Sequence, residues 1–426
     1  HSSNLTMKFS ALILAIVIIV IDLYVFQAFK FAFRNSSENT QKITSIVFWS
    51  LTAFSVGVVL AAMVTDVQTW PKFIKTYFTA FVFVWMISKV VVLIFMIADD
   101  AIRGVRWAFT KVFPTAQAAP ATADALKSTG ISRSDFLVKT GLVIGAIPFI
   151  SLIWGMAKGA YDYQVKRIKV KLPNLPAGFE GYTIVQVSDI HSGSFVTTEP
   201  LATAVKMIND LNPDLILFTG DLVNNRNTEV IDHMPALSKL KSKHGVYSIL
   251  GNHDYGDYVE WDSPEAKKKN LATLINHHRE MGWDILLDEH RILENKGDKI
   301  TLIGVQNWST HLRFPKYGSM EKATKDIQYN AVNILMSHDP SHWNGEILTK
   351  YPQVDIMLAG HTHGFQFGIE IPGFKWSPVQ YIYKQWAGLY KEGNQYLYVN
   401  RGLGFLGYPG RVGILPEITV LELTKA

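Results

Sequence analysis

The chain has 426 residues, enough for two or three domains, and its formal net charge of +5 comes without any run of like charges, which excludes a nucleic-acid arm or an acidic tail. It contains no cysteine, so disulfides and thiolate ligands are excluded and any metal must take nitrogen and oxygen donors. A content of 48% apolar against 18% charged residues departs from the soluble average, and nearly all of the excess sits before Lys158.

Residues 1–6, ahead of Met7, read as an expression scar. Residues 7–29, 43–65, 76–98 and 136–157 are each apolar over the length that crosses a hydrocarbon core about 30 Å thick, and they predict four transmembrane helices. Trp49, Trp70 and Trp85 lie near their ends or faces, where indoles favour the interface. Residues 101–113 mix Arg103, Arg106 and Lys111 with Val105, Trp107 and Phe109, the pattern of an amphipathic segment on a bilayer surface. Residues 114–129, rich in Ala, Pro and Thr, read as a linker inside a membrane domain spanning 7–157. The segment from Ser132 to Lys139 resembles a twin-arginine export signal whose second arginine has become Ser134. With the basic residues of 101–113, it implies a multi-pass protein of a bacterial cytoplasmic membrane whose following domain is extracytoplasmic.

Residues 158–180 are basic and read as a juxtamembrane linker, with a catalytic domain over 181–426. Within it, apolar runs at 181–188, 215–219, 245–250, 333–336 and 356–358 read as buried strands, and 200–211 has helical spacing. The runs end in turn at Asp189-x-His191, Gly220-Asp221, Gly251-Asn252-His253-Asp254, Ser337-His338-Asp339 and Gly360-His361-Thr362-His363. A single His or Asp after a strand is ordinarily a turn or cap residue. Such clusters at the carboxyl ends of five strands instead collect imidazoles, carboxylates and an amide where open α/β sheets carry their ligands. Neutral imidazoles with a carboxylate able to bridge make a donor set for two divalent cations.

The ordered motifs D-x-H, G-D, G-N-H-D, H and G-H-x-H, from Tyr182 to His363, resemble the calcineurin-like metallophosphoesterase family, in its membrane-tethered branch. The resemblance implies an α/β domain built as a two-sheet αββα sandwich behind the multi-pass helical region. It implies Asp189, His191 and His363 on one cation, Asn252, His338 and His361 on the other, and Asp221 bridging. His253 would be the general acid or charge stabiliser facing the leaving group, and Asp254 would either orient it or serve as a cap or turn residue. Attack would come from a hydroxide bridging the two cations. Manganese is expected first, with Zn, Fe, Co and Mg accepted by the same donors. Asn224 and Asn225 stand where the branch often has an acidic residue, and Phe365 stands where a second glycine is common, so these and Arg411 are candidate substrate contacts. Arg401 has the same claim, and for Arg401 and Arg411 alike a strand-end salt bridge is the plainer alternative.

These readings predict a membrane-bound, metal-dependent phosphohydrolase acting on a phosphomonoester, phosphodiester or pyrophosphate bond of a phospholipid or lipid-linked substrate. The expected partners are the bilayer and that substrate, without nucleic acid. Two alternatives stay open: a membrane sensor or transporter regulated by a hydrolase domain, and a nucleotide phosphodiesterase or nuclease on the same fold. The aromatics from Phe374 to Tyr390 read either as core packing or as an interfacial belt that admits a lipid tail.

Overall fold

A computed structural model of the chain describes residues 2–65, 67–112 and 133–426. It resolves into two compact units, His1–Ile153 and Trp154–Ala426.

The first unit is helical: α1 (Ser2–Ala32), α2 (Glu38–Val64), α3 (Lys72–Val112) and the greater part of α4 (Arg133–Ala157). Among the described residues, four helices are long and apolar enough to cross a membrane, over Ala11–Ala32, Glu38–Val64, Lys72–Val112 and Ser134–Tyr161. The interfacial segment expected at 101–113 continues α3 without a break through Val112, since no proline or cap intervenes; α3's 41 residues extend about 60 Å, twice the hydrocarbon thickness. The linker expected at 114–129 lies outside the described residues. Small residues bring α4 onto α3: a Cβ on Gly145 would stand 2.5 Å from Val92 Cγ2, and one on Gly141 would stand 2.8 Å from Phe95 Cβ. One polar clamp joins three helices. The buried Asp22 carboxylate of α1 pairs with the Lys89 ammonium of α3 and accepts from Thr52 Oγ1 of α2 at 2.5 Å.

The second unit is a sandwich of two six-stranded sheets. The strands are β1 (Gln164–Leu172), β2 (Thr183–Val187), β3 (Leu215–Phe218), β4 (Val246–Ser248), β5 (Trp283–Ile285), β6 (Glu289–Asn295), β7 (Asp298–Gly304), β8 (Asn333–Met336), β9 (Ile356–Ala359), β10 (Ile369–Ile371), β11 (Phe374–Trp376), β12 (Gly388–Glu392), β13 (Gln395–Val399) and β14 (Glu417–Lys425). Sheet one runs β1-β14-β2-β3-β4-β5, sheet two runs β12-β13-β9-β8-β7-β6, and β10 with β11 forms a separate ribbon. The basic stretch 158–180, read from sequence as a linker, carries β1, which pairs in parallel with β14 from Gln164↔Glu417 to Leu172↔Lys425 and so belongs to the sandwich.

Alternation builds the layers, because successive side chains of a strand point to opposite faces. Ile184, Leu215 and Leu217 of sheet one meet Ile334, Met336, Ile356 and Leu358 of sheet two in the inner core. Val185, Val187, Ile216 and Phe218 face outward onto α5 (Glu199–Asp210), α6 (Met234–Leu237) and α7 (Pro264–Glu280). On the opposite side, Leu335, Met357 and Leu397 pack on Trp343 and Ile347. The expected αββα sandwich results, and the carboxyl ends of β2, β3 and β4 come to the same edge as those of β8 and β9.

Candidate metal centre

The loops leaving those strands are locked by backbone bonds that cross between them. Asp189 N–H donates to Gly220 O (2.9 Å), His191 N–H to Asp221 O (3.1 Å), and Gly360 N–H to His338 O (2.9 Å). Between the sheets, His361 N–H donates to the Asp189 carboxylate at 3.0 and 3.1 Å, and His338 Nδ1 donates to Thr219 O at 2.8 Å. Close approaches require glycine here, at Gly220 and Gly360 among others. A Cβ on Gly220, whose φ is +97°, would stand 2.5 Å from Gly251 N, and one on Gly360 would stand 2.0 Å from Ser188 Oγ. Asp189, His191, Asp221, His361 and His363 all adopt left-handed backbone, with φ from 48° to 70°, which directs their side chains into one point at a conformational cost.

There the donors converge. His191 Nε2 lies 3.0 Å from His363 Nε2, and His363 Nε2 lies 3.3 Å from Asp189 Oδ1. His338 Nε2 is 3.1 Å and His361 Nδ1 2.8 Å from Asn252 Oδ1. Asp221 Oδ2 stands between the groups, 3.5 Å from His191 Nε2 and 3.2 Å from His338 Nε2. Asp189, His191 and His363 form one cluster of potential ligand atoms, and Asp221, His338 and His361 a second. Nitrogens aimed at one another in a buried pocket, with few protons to share, fit two cations between them.

The electrostatics agree. Burial opposes charge on both carboxylates, yet the imidazoles around them hold Asp189 and Asp221 well below the usual carboxylate range. Burial alone would depress His338, but Asp221 outweighs it and pushes the imidazole up to about 10; burial takes His361 down to about 4. Two carboxylates and four imidazoles gathered in this buried volume make a donor set suited to divalent cations.

A surrounding layer fixes which atom of each ring faces inward. His361 Nε2 meets Tyr383 Oη (2.9 Å), which donates to Asp339 Oδ2 (3.1 Å), leaving Nδ1 turned to the centre. Asn252 Nδ2 donates to Tyr258 Oη (2.8 Å), so its Oδ1 faces the histidines. His191 Nδ1 meets Asn224 Oδ1 (3.2 Å). Tyr258 and Tyr383 carry no motif and were missed by sequence reasoning; Asp339 was visible beside His338 but had no assigned role.

The remaining expected site residues divide. His253, half-buried, donates from Nδ1 to the Asn224 carbonyl (2.8 Å), so that Nε2 is the ring nitrogen turned away from that bond. Asp254 does not orient it. Its buried carboxylate accepts from four backbone amides, those of Leu222 (2.8 Å), Asp221 and Gly251 (2.9 Å each) and Val223 (3.2 Å), because burial forces an acceptor to seek main-chain donors. Asn224's side chain turns to His191 and Ser194, whereas Asn225 accepts from Asn270 Nδ2 through its main-chain carbonyl and its Oδ1 is buried with no hydrogen-bond partner among the described residues. Phe365 is 57% exposed on the rim. Arg411, expected at the mouth, is buried: its guanidinium donates to the carbonyls of Arg401, Gly402, Gly404 and Ile414, and Nη2 lies 3.3 Å from His363 Nδ1. Arg401 forms the strand-end ion pairs, with Glu417 (2.5 Å) and Glu370 (2.7 Å).

Comparison with known proteins bears on both units. Residues 182–365 match the family described as "Calcineurin-like phosphoesterase", and residues 7–160 match "Probable Calcineurin-like phosphoesterase, transmembrane domain". The "Uncharacterized metallophosphoesterase YkuE" of Bacillus subtilis is 34% identical over 258 residues, 60% of this chain and 83% of that protein. The "Transmembrane protein with metallophosphoesterase domain" of Danio rerio is 30% identical, over 66% of this chain and 62% of its own length. The "UDP-2,3-diacylglucosamine pyrophosphatase LpxG" of Chlamydia trachomatis is 25% identical, over 61% of this chain and 89% of its own.

Proposed function

The chain belongs to the calcineurin-like phosphoesterases, as a membrane-associated metallophosphoesterase, and from that premise we propose that it cleaves a phosphomonoester, phosphodiester or pyrophosphate bond of a phospholipid or lipid-linked substrate. The observation that carries the reading is the conjunction, in one chain, of four helices of spanning length and two buried clusters of metal-binding side chains. A hydrolase tied to a bilayer meets lipid phosphates at an effective concentration far above that of soluble esters. The Chlamydia relative, whose name gives a diacylated sugar nucleotide as substrate, supports the same direction.

In this reading Asp189, His191 and His363 would hold one cation, Asn252, His338 and His361 the other, and Asp221 would be shared by both, with manganese as the first choice. When bound, the cations supply Lewis acidity toward phosphoryl oxygens and an activated water. The chain does the rest. His253, oriented by the Asn224 carbonyl, delivers a proton from Nε2 to the leaving oxygen. Asn224 keeps the His191 ring in register, and Tyr258 keeps the Asn252 amide from flipping. Phe365 lies at the rim, where a lipid's apolar portion would pass. The domain faces the extracytoplasmic side.

The test is release of phosphate or headgroup by the purified protein in detergent, assayed across a lipid panel and a generic aryl phosphate with Mn, Zn or Mg. Hydrolysis of a lipid phosphate that is lost in Asp221→Asn is the expected result. Hydrolysis confined to soluble esters overturns the lipid assignment, and silence on every substrate with every metal overturns the enzyme.

A further inference from the structure

The ribbon of β10 and β11 is built inside out for a protein surface. Its register pairs Ile369 with Trp376 and Ile371 with Phe374 on one face, and Glu370 with Lys375 on the other. The polar pair faces the domain. Glu370 is bound by Lys166 (2.8 Å) and Arg401 (2.7 Å), and the Lys375 ammonium donates to Ala387 O and lies 5.3 Å from the Trp386 ring centre. The apolar face is therefore the outer one: Ile369, Ile371 and Phe374 are each about half exposed. Tyr381 and Ile382, on the turn that follows, are 78% and 60% exposed, with Lys384 exposed beside them. A two-stranded ribbon outside any larger sheet is marginal in water, and a contiguous apolar patch facing outward marks an interaction surface.

Its position within the second unit identifies what covers it. The last turns of the fourth spanning helix, from Trp154 on, belong to this unit, and a Cβ on Gly155 would stand 2.7 Å from Val412 Cγ2. Val412 in turn grips the base of the ribbon: its N–H donates to Gln366 O (2.8 Å), and its carbonyl accepts from Gly368 N–H (2.9 Å). The Arg411 N–H donates to Gly155 O at 3.2 Å. The ribbon thus stands beside the end of a helix long and apolar enough to cross a membrane, and begins six residues after His363.

We propose that this ribbon and the turn carrying Tyr381 and Ile382 dock into the interfacial layer of a lipid bilayer. Apolar side chains enter the headgroup and acyl boundary, and Lys384 and Lys158 meet anionic headgroups. The docking goes beyond the proposed reaction: it is a contact with membrane and requires no turnover.

Because the chain lacks cysteine, Phe374→Cys supplies the only thiol for an environment-sensitive fluorophore. The full chain is reconstituted in vesicles of phosphatidylcholine with phosphatidylglycerol, with a second protein labelled through Ile292→Cys, an exposed position on β6. Blue-shifted emission at 374, quenched by shallow spin-labelled lipid while the label at 292 is not, is the expected result. Adding Ile371→Glu should abolish the quenching. Equal quenching at both positions, none at 374, or quenching that survives Ile371→Glu overturns the proposal, whatever the protein hydrolyses.

Discussion

Asp254→Asn separates two roles for a residue that adjoins the site histidine in sequence. In the folded protein each carboxylate oxygen serves two main-chain amides, Oδ1 those of Leu222 and Val223, Oδ2 those of Asp221 and Gly251. An asparagine has one acceptor oxygen, so whichever way its amide is turned, two buried N–H groups face an NH2 group. Leaving a buried donor unsatisfied costs about 1–3 kcal/mol, so the substitution should destabilise the second unit by about 2–6 kcal/mol. Because the affected amides shape the loops that carry Asp221 and Asn252, metal affinity should fall with stability. Burial and the neighbouring Asp221 push the Asp254 carboxyl up to about 7, against the pull of the amides, so cations at the centre strengthen its ionised, accepting form. Chemical denaturation of the detergent-solubilised protein, followed by tryptophan fluorescence, to which Trp283 and Trp343 in the cores contribute, measures the first quantity, and calorimetric Mn titration measures the second. An Asp254→Asn protein with unchanged stability and metal affinity but lowered turnover would refute the bracing role and restore one of orienting His253.

Two further outcomes test other buried groups. His278 is fully buried beside Trp283, and desolvation takes its imidazole down to about 3 from 6.5, so the unfolded chain binds the extra proton. Its contribution is complete above pH 6.5 and declines by about 1.4 kcal/mol for each unit below, toward pH 3. Denaturation curves from pH 7 to 4 should therefore be shallower in pH for His278→Leu, and parallel curves would exclude this ring as their source. In the helical unit, Lys89→Met or Asp22→Leu alone strands a buried charge and should cost about 3–5 kcal/mol, whereas the double substitution should cost much less. Thermal denaturation in micelles reads the three variants, and a double variant whose loss equals the sum of the two single losses would show that the pair is not coupled.

The parts of the fold legible in the sequence were those written locally. Each inner strand is a short apolar run closed by its own polar cluster, so the positions of Asp189, Asp221, Asn252, His338 and His361 at strand ends followed from pattern alone. β1 was hidden although its alternation is present: Ile168, Val170 and Leu172 turn inward while Arg167, Lys169 and Lys171 face solvent. That many cations near a membrane helix read as a juxtamembrane linker. Its pairing with β14, more than 240 residues distant, has no local signature. The same limit hid Tyr258 and Tyr383, whose roles exist only because folding sets their hydroxyls on Asn252 and His361, and it made Arg411 look like a phosphate ligand when its donors are consumed by carbonyls.

The left-handed backbone at Asp189 and Asp221 narrows the range of sequences this centre accepts. Judged by donor chemistry, glutamate offers the same oxygens and could ligate as well. Judged by conformation, it lacks the short polar side chain that makes aspartate, asparagine and histidine the tolerated non-glycine residues at positive φ. Lengthening the arm by one methylene at either position would therefore tax the main chain before it altered the coordination. The alphabet open to drift there is set by Ramachandran geometry as much as by affinity for metal.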